Sequence, residues 1–255
     1  MTTDFHACSG FCARCHTSHT LPMGKAKSAA LELIRQLDRT RRLDRHLPIE
    51  KSDPRLSTDY LFGKARGKMF GVMVCRQTDR TEIILKSFSG QYNGLWEIEG
   101  WAPPLFDLQH WHRVNEGPER EIKRLGIEID GAGLDNPRGR ELIRRRKELS
   151  QELMKALHGL YTLHNFRFQS RLLADVFAGV NGIPNGAADC CGPKLLNYAA
   201  RHHLLPLGMA EFYYGRPNRQ GTRHHGRFYS PCHDKCGPIL GFMLCGLDGE
   251  EKKCS

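Results

Sequence analysis

Two clusters of cysteine and histidine residues, far apart in the chain, place the strongest constraint on its fold. Seven of the ten cysteines lie in them, three within the first fifteen residues and four in the segments 190–191 and 232–236. The opening segment MTTDFHACSGFC has no apolar stretch of the kind found in secretory signals, so we expect a cytoplasmic protein with reduced thiols. Reduced cysteines at this density indicate metal binding, and zinc is the metal that cysteine and histidine select.

The first cluster has the short spacings of a structural zinc knuckle, Cys-x3-Cys-x2-Cys-x3-His. Four protein ligands complete a tetrahedral shell, so we expect a zinc-knuckle-like module over residues 1–22. His6 and His16 compete for the histidine position. The segment CARCH also spells a haem attachment motif, but haem is attached outside the cytoplasm. The predicted zinc ligands are Cys8, Cys12, Cys15 and His19.

The second cluster is divided between two predicted helix starts about forty residues apart. A helix N-terminus carries partial positive charge, which stabilises thiolates. We expect Cys190, Cys232 and Cys236 to hold a second zinc ion, and three protein ligands leave the fourth position to water and hydrolytic chemistry. Cys191 as a fourth ligand would close this site.

Two carboxylates are placed to move protons at an open site. Asp189 adjoins Cys190, and Glu211 lies on a predicted strand between the two cysteine-bearing helices. Water activated by a metal needs a neighbouring group that shuttles its proton. We therefore predict Asp189 or Glu211 as the catalytic carboxylate.

Hydrophobic periodicity predicts an α/β domain over residues 23–255. Ala30, Leu33, Ile34 and Leu37 share one face at helical spacing. Residues 71–75, 82–88 and 206–214 have the composition of strands, and 47–62 and 179–186 that of connecting loops. Leucines near heptad spacing in a charged background predict a helical insertion over about 117–165, continued by a shorter helix over 166–177.

The charge of the chain favours a polyanionic partner, and we expect that partner to be RNA. The net charge is +10, with 38 basic against 28 acidic residues. No apolar run approaches the ~18 residues of a membrane span, so no membrane partner is expected. A loop over 215–227 contains no acid and is flanked by aromatic residues that can stack on bases. The candidate RNA contacts are Arg216, Arg219, Arg223 and Arg227 in this loop, and Arg144 and Arg145 in the helical insertion.

The order of the predicted elements resembles the cytidine-deaminase superfamily over about residues 66–110 and 182–247. That superfamily holds zinc through a His/Cys-x-Glu motif and a P-C-x-x-C motif at two helix starts. The resemblance implies a deaminase-like mixed sheet flanked by helices. This chain has Gly192 at the position of the catalytic glutamate, and three residues rather than two separate Cys232 from Cys236.

Six motifs resemble, in the same order, the extra N-terminal domain of long RluA-type RNA pseudouridine synthases. Those enzymes carry their catalytic aspartate in HRLD-x-x-TSG in a separate domain, whereas RLDR at 42–45 is followed here by HLPIE. The resemblance therefore implies an RNA-modification context, with a pseudouridine synthase domain or another RNA-modifying protein as partner. The motifs are GKMFGVMV (67–74), SFSG (87–90), APPLFD (102–107), GAADCCGPKLL (186–196), MAEF (209–212) and FYSPC (228–232).

Two hypotheses of function follow. The first is a zinc-dependent, deaminase-like hydrolase that acts on an RNA base or nucleotide. The second is a non-catalytic, zinc-stabilised RNA-binding module associated with pseudouridine synthases. An open second zinc site favours the first, and a closed one favours the second.

Overall fold

A four-stranded antiparallel sheet lies at the centre of the fold. The computed structural model describes residues 6–132, 136–179 and 182–247 of the 255-residue chain. Residues 1–5, 133–135, 180–181 and 248–255, which belong to the predicted module, insertion, loop and chain end, lie outside the described residues. The elements are β1 (Cys8–Cys12), β2 (Thr17–Leu21), α1 (Ala26–Thr40), β3 (Lys68–Arg76), β4 (Glu82–Phe88), α2 (Leu108–Ala132), α3 (Pro137–His158), β5 (Thr162–His164), β6 (Ser170–Leu172), α4 (Leu173–Val176), α5 (Cys191–Arg201), β7 (Leu205–Tyr214), β8 (Phe228–Tyr229) and α6 (Gly237–Leu244).

The strand order of the central sheet is β4-β3-β7-β8, and each described pair is antiparallel. The three predicted strands are all present, so the chain is an α/β protein as expected. The expectation of a mixed sheet is not met in the described strands. A tight turn over 77–81 reverses the chain between β3 and β4, and β7 also runs opposite to β3.

Helices cover both faces of this sheet. On one face, α1 buries its predicted apolar side, including Leu33 and Leu37, against Phe70 and Val72 of β3. On the other face, α5 and α6 form a second core with strand residues such as Met73. Gly71 of β3 is essential to this packing, because a Cβ at this position would lie 2.6 Å from the Cβ of Cys191. The first turn of α5 therefore sits directly on the sheet.

The charged insertion forms a helical hairpin of α2 and α3. Helix α2 begins at Leu108, earlier than predicted, because the carboxylate of Asp107 accepts the backbone N–H of His110 at 2.7 Å. Arg145 of α3 lies 3.3 Å from Glu121 of α2 and joins the two helices. In the described ranges, no helix is both long and apolar enough to cross a membrane.

The prediction of a helix over 166–177 is wrong. Strands β5 and β6 form a small hairpin there, followed by the single turn of α4. The side chain of Asn165 accepts the backbone N–H groups of Arg167 and Gln169, both at 3.0 Å, and Phe168 has a left-handed φ of 59°. These hydrogen bonds satisfy the backbone in a turn and compete with helix formation.

The amino-terminal hairpin of β1 and β2 packs against α6. A Cβ at Gly10 would lie 2.3 Å from the backbone nitrogen of Gly241, and a Cβ at Gly241 would lie 2.0 Å from the carbonyl oxygen of Phe11. The two backbones can approach this closely because both positions lack a side chain. The hairpin is thereby held against α6.

We expect Gly241→Ala to destabilise the protein and Gly126→Ala to stabilise it. The first change places a methyl group against backbone atoms of β1, and overpacking of this kind costs about 1–3 kcal/mol. Gly126 of α2 has no non-neighbouring atom closer than 4.0 Å to its Cβ position, so alanine there gains about 0.5–1 kcal/mol of helix propensity. Urea denaturation of both variants measures the two changes, and equal stabilities would contradict the close contact.

Candidate metal centres

The first metal centre joins the amino-terminal hairpin to the end of α6. Cys12, Cys15, His19 and Cys245 place one ligand atom each within 4.8 Å of the other three. The Sγ atom of Cys15 lies 3.1 Å from Nε2 of His19 and 3.7 Å from Sγ of Cys245. Cys12 and His19 are buried, so the centre is largely shielded from water. The four groups can hold one metal ion in a closed shell.

Cys245 takes the ligand position that the spacing of the first cluster predicted for Cys8. Cys8 lies at the start of β1, paired with Leu21 of β2, and belongs to the apolar core. Burial raises the pKa of its thiol well above the usual range, which disfavours a thiolate. Cys12 lies at the other end of the five-residue strand β1, next to the turn that bears Cys15. His6 and His16 are not members of the described cluster.

The second metal centre lies between the first turns of α5 and α6. Cys190 is the N-cap residue of α5 and Cys236 that of α6, as the predicted helix starts require. The Sγ atoms of Cys190 and Cys232 are 3.6 Å apart, and all three sulfurs lie within 4.8 Å of one another. Cys190 and Cys232 are partly exposed, so one side of the cluster faces solvent.

Cys191 does not belong to this second cluster. Its side chain is fully buried, and its Sγ donates to the carbonyl oxygen of Met69 at 3.4 Å. Burial raises the pKa of its thiol well above the usual range. The second centre therefore has three protein ligands among the described residues.

Hydrogen bonds among the three sulfurs of the second centre stabilise one of them as a thiolate. Thiol hydrogen bonds from Cys190 and Cys236 hold the pKa of Cys232 well below its usual range, and the backbone N–H groups of Lys235 and Cys236 add to the effect. The same interaction raises the pKa of Cys190 and of Cys236, because each shares its proton with the thiolate of Cys232. A cluster that favours a thiolate is suited to a cation.

Glu211 lies on the same side of the sheet as the second centre. It is 5% exposed, and its Oε1 accepts the backbone N–H of Gly192 at 2.7 Å. A Cβ on Gly192 would lie 3.1 Å from this oxygen, so the carboxylate fills the space beside the first turn of α5. Burial, opposed by the hydrogen bond from Gly192 and aided by the negative charge of Cys232, raises the pKa of Glu211 to about 7. Glu211 and the cysteine cluster are thus electrostatically coupled.

Asp189 faces different surroundings. Its carboxylate accepts a hydrogen bond from the hydroxyl of Tyr161 at 2.8 Å. Burial raises its pKa, while Tyr161 and the charges of Lys194 and Lys235 lower it. Its main electrostatic partners are thus a tyrosine and two lysines, whereas those of Glu211 include a cysteine of the metal centre.

The predicted RNA-binding arginines of the loop over 215–227 and of the helical insertion differ in their surroundings. Arg144 pairs with Glu141 and Glu148 on its own helix, and Arg145 pairs with Glu121. Arg223 lies over the ring of Tyr229 at 4.8 Å, and its charge lowers the pKa of Glu211. The side chains of Arg216, Arg219 and Arg227 are exposed.

We expect Cys245→Ser to remove one bound metal ion and Cys8→Ser to leave the metal content unchanged. Cys245 supplies a ligand to the first centre, whereas Cys8 is a core residue outside it. Elemental analysis of the two purified variants by mass spectrometry counts the ions. Loss of metal from the Cys8 variant with retention in the Cys245 variant would refute this ligand set.

The second centre gives a parallel prediction. Cys232→Ser removes a sulfur from the cluster and should release one ion, whereas Cys191→Ser alters a neighbouring cysteine outside the cluster and should release none. The same elemental analysis measures both variants. Release of metal by the Cys191 variant would show that this residue closes the shell.

The chain was compared with protein families, with curated proteins and with solved structures. No family model matches it, and neither a curated protein nor a solved structure is significantly similar to it. The resemblances to pseudouridine synthases and to cytidine deaminases therefore stay predictions.

Proposed function

We propose that the protein binds two zinc ions, a structural ion at the first centre and a catalytic ion at the second. Zinc–sulfur bonds of about 2.3 Å in tetrahedral geometry place two sulfurs about 3.8 Å apart. The sulfurs of Cys190 and Cys232 are separated by 3.6 Å, and those of Cys15 and Cys245 by 3.7 Å. Four ligands complete the shell of the first centre, and three leave one position of the second available. The cytoplasm, where thiols stay reduced, suits both centres.

The function that this arrangement supports best is a deaminase-like hydrolase acting on an RNA base or nucleotide. The observation that carries the proposal is the buried carboxylate of Glu211 beside a cluster of three cysteines. Zinc with three protein ligands supplies a Lewis acid that acidifies water. Glu211 accepts the proton of the attacking water and delivers it to the amino group that leaves as ammonia, while the base gains the oxygen.

The backbone around Gly192 supports this role for Glu211. The resemblance to cytidine deaminases implies a catalytic glutamate two residues after the first zinc-binding cysteine, at position 192 in this chain. Glycine stands there, but the carboxylate of Glu211 lies 3.1 Å from the place where a side chain would begin. The N–H of Gly192 holds one oxygen of this carboxylate, which orients the group. We infer that a glutamate from β7 takes the role of the missing one.

The charge and the aromatic residues of the basic loop support RNA as the source of the substrate. Arg223 and Tyr229 combine a cation and a stacking face close to Glu211, which lies opposite Tyr229 in the sheet. Phosphate groups bind arginine, and bases stack on aromatic rings. The resemblance to the accessory domain of pseudouridine synthases agrees with an RNA-modification context.

We expect Glu211→Gln to keep both zinc ions and to lose hydrolysis of nucleobase amino groups by about a hundredfold to ten-thousandfold. The amide oxygen of glutamine still accepts the N–H of Gly192, so the local fold is preserved, but the amide cannot take up and release a proton. The assay measures ammonia release from cytidine, adenosine and guanosine nucleotides and from short RNAs.

Cys191→Ser, which leaves the cysteine cluster intact, is the control for this assay. If the parent protein binds RNA and zinc but releases no ammonia from any of these substrates, the enzyme proposal fails. The protein would then be a zinc-stabilised RNA-binding module.

The RNA proposal predicts that Arg219→Glu with Arg223→Glu weakens RNA binding and flattens its dependence on salt. Each lost phosphate contact reduces the number of released counterions, so the slope of log K against log salt falls by about 0.7 for single-stranded RNA. Arg144→Glu with Arg145→Glu is the matched control, because these arginines are paired with glutamates on their own hairpin. Equal losses in both double variants, measured by fluorescence anisotropy, would contradict a binding site at the loop.

A further inference from the structure

A cavity of about 330 Å³ that opens to solvent lies where the helical hairpin of α2 and α3 meets the main domain. Its lining includes Trp96 from the segment after β4, Trp111 from α2 and Tyr161 from the segment after α3. Its polar lining residues include Asp189, Gln91 and Asn185. The cavity therefore combines aromatic walls with a carboxylate and two groups that can donate and accept hydrogen bonds.

We propose that this cavity binds a nucleobase that carries an amino group. Trp96 and Trp111 contact each other edge to face, with ring centres 5.5 Å apart, and a flat heterocycle can stack on an indole face that lines the cavity. The carboxylate oxygens of Asp189 accept hydrogen bonds, so they favour the N–H edge of cytosine, adenine or guanine over carbonyl oxygens. Tyr161 donates to Oδ1 of Asp189 and fixes the orientation of the carboxylate.

The charges around Asp189 favour a neutral base over an organic cation. Aromatic rings with a carboxylate can also hold an ammonium ion. Here, however, Lys194 and Lys235 already interact with Asp189, and the ammonium group of Lys194 lies 5.6 Å from the ring centre of Trp96. A further cation would meet two positive charges against one negative charge. A neutral ligand with a polar edge avoids this repulsion.

The position of the cavity deepens the proposed function. Asp189 adjoins Cys190, a ligand of the second centre, but its carboxylate faces Tyr161 rather than the cysteine cluster. The base held in the cavity is therefore a neighbour of the reacting base in the same RNA, and the cavity selects the sequence beside the reaction site. This role rests on the proposed function, whereas binding of the base does not.

Tryptophan fluorescence tests the binding directly, because two of the three tryptophans line the cavity. The third, Trp101, belongs to the core on the α1 side of the sheet, and Trp101→Phe removes its signal from the background. The zinc-loaded protein is titrated with the 5′-monophosphates of cytidine, adenosine and guanosine, and with those of uridine and inosine, which lack the amino group. We expect quenching by the first three at concentrations at least tenfold lower than by the other two.

Two variants and a control locate the site. Asp189→Asn still accepts the hydrogen bond of Tyr161 but loses the charge, and should weaken binding of the three amino-bearing nucleotides about tenfold. Trp111→Leu, at a half-exposed position, should weaken binding of all bases tenfold or more. Asp130→Asn, on the exposed face of α2, should change nothing.

Three results would overturn the proposal: no quenching by any nucleotide, equal affinity for uridine and cytidine monophosphates, or tighter binding of tetramethylammonium than of any nucleotide. The same titrations on the Glu211→Gln variant separate this inference from the proposed function. Quenching with no ammonia release in the parent protein would support a base-binding cavity in a non-catalytic protein. Ammonia release with no quenching would leave the enzyme proposal standing and exclude the cavity.

Discussion

The contact between the first turn of α5 and the central sheet determines the geometry of the second metal centre. Because Gly71 has no side chain, Cys191 packs directly on β3, and the backbone of Gly192 comes within hydrogen-bonding distance of Glu211. The same contact buries Cys191 and leaves Cys190, one residue earlier, at the helix N-cap and partly exposed. One glycine on a strand thus separates the cysteine that packs in the core from the one that can bind a metal ion.

Local patterns in the sequence predicted the elements that carry the candidate sites. The buried face of α1, the two cysteine-bearing helix starts and the long strands follow from apolar spacing and from proline and glycine near helix ends. Periodicity does not encode the relative direction of strands, so the antiparallel sheet could not be distinguished from a mixed one. Nearby apolar residues predicted a helix after residue 165, but the side chain of Asn165 accepts two backbone N–H groups and stabilises a turn there instead.

Spacing in the sequence predicted Cys8 as a ligand of the first centre, whereas the structure places Cys245 there. Spacing detects ligands that are close in sequence, whereas Cys245 lies 230 residues from Cys15. It directly follows the last residue of an apolar helix, where no neighbouring cysteine or histidine in the sequence points to a metal ligand. The choice between Asp189 and Glu211 was open for the same reason, because it depends on which element packs on α5 rather than on distance along the chain.

Helix α6 connects the two metal centres. Cys236 precedes its first residue and Cys245 follows its last, so one ligand of each centre lies at either end of a helix of eight residues, about 12 Å long. A metal ion at one end would reduce the freedom of the helix, and the other end would then present its sulfur at a smaller entropic cost. If each centre holds an ion, the helix would couple the two affinities, and by thermodynamic reciprocity each ion would strengthen the binding of the other.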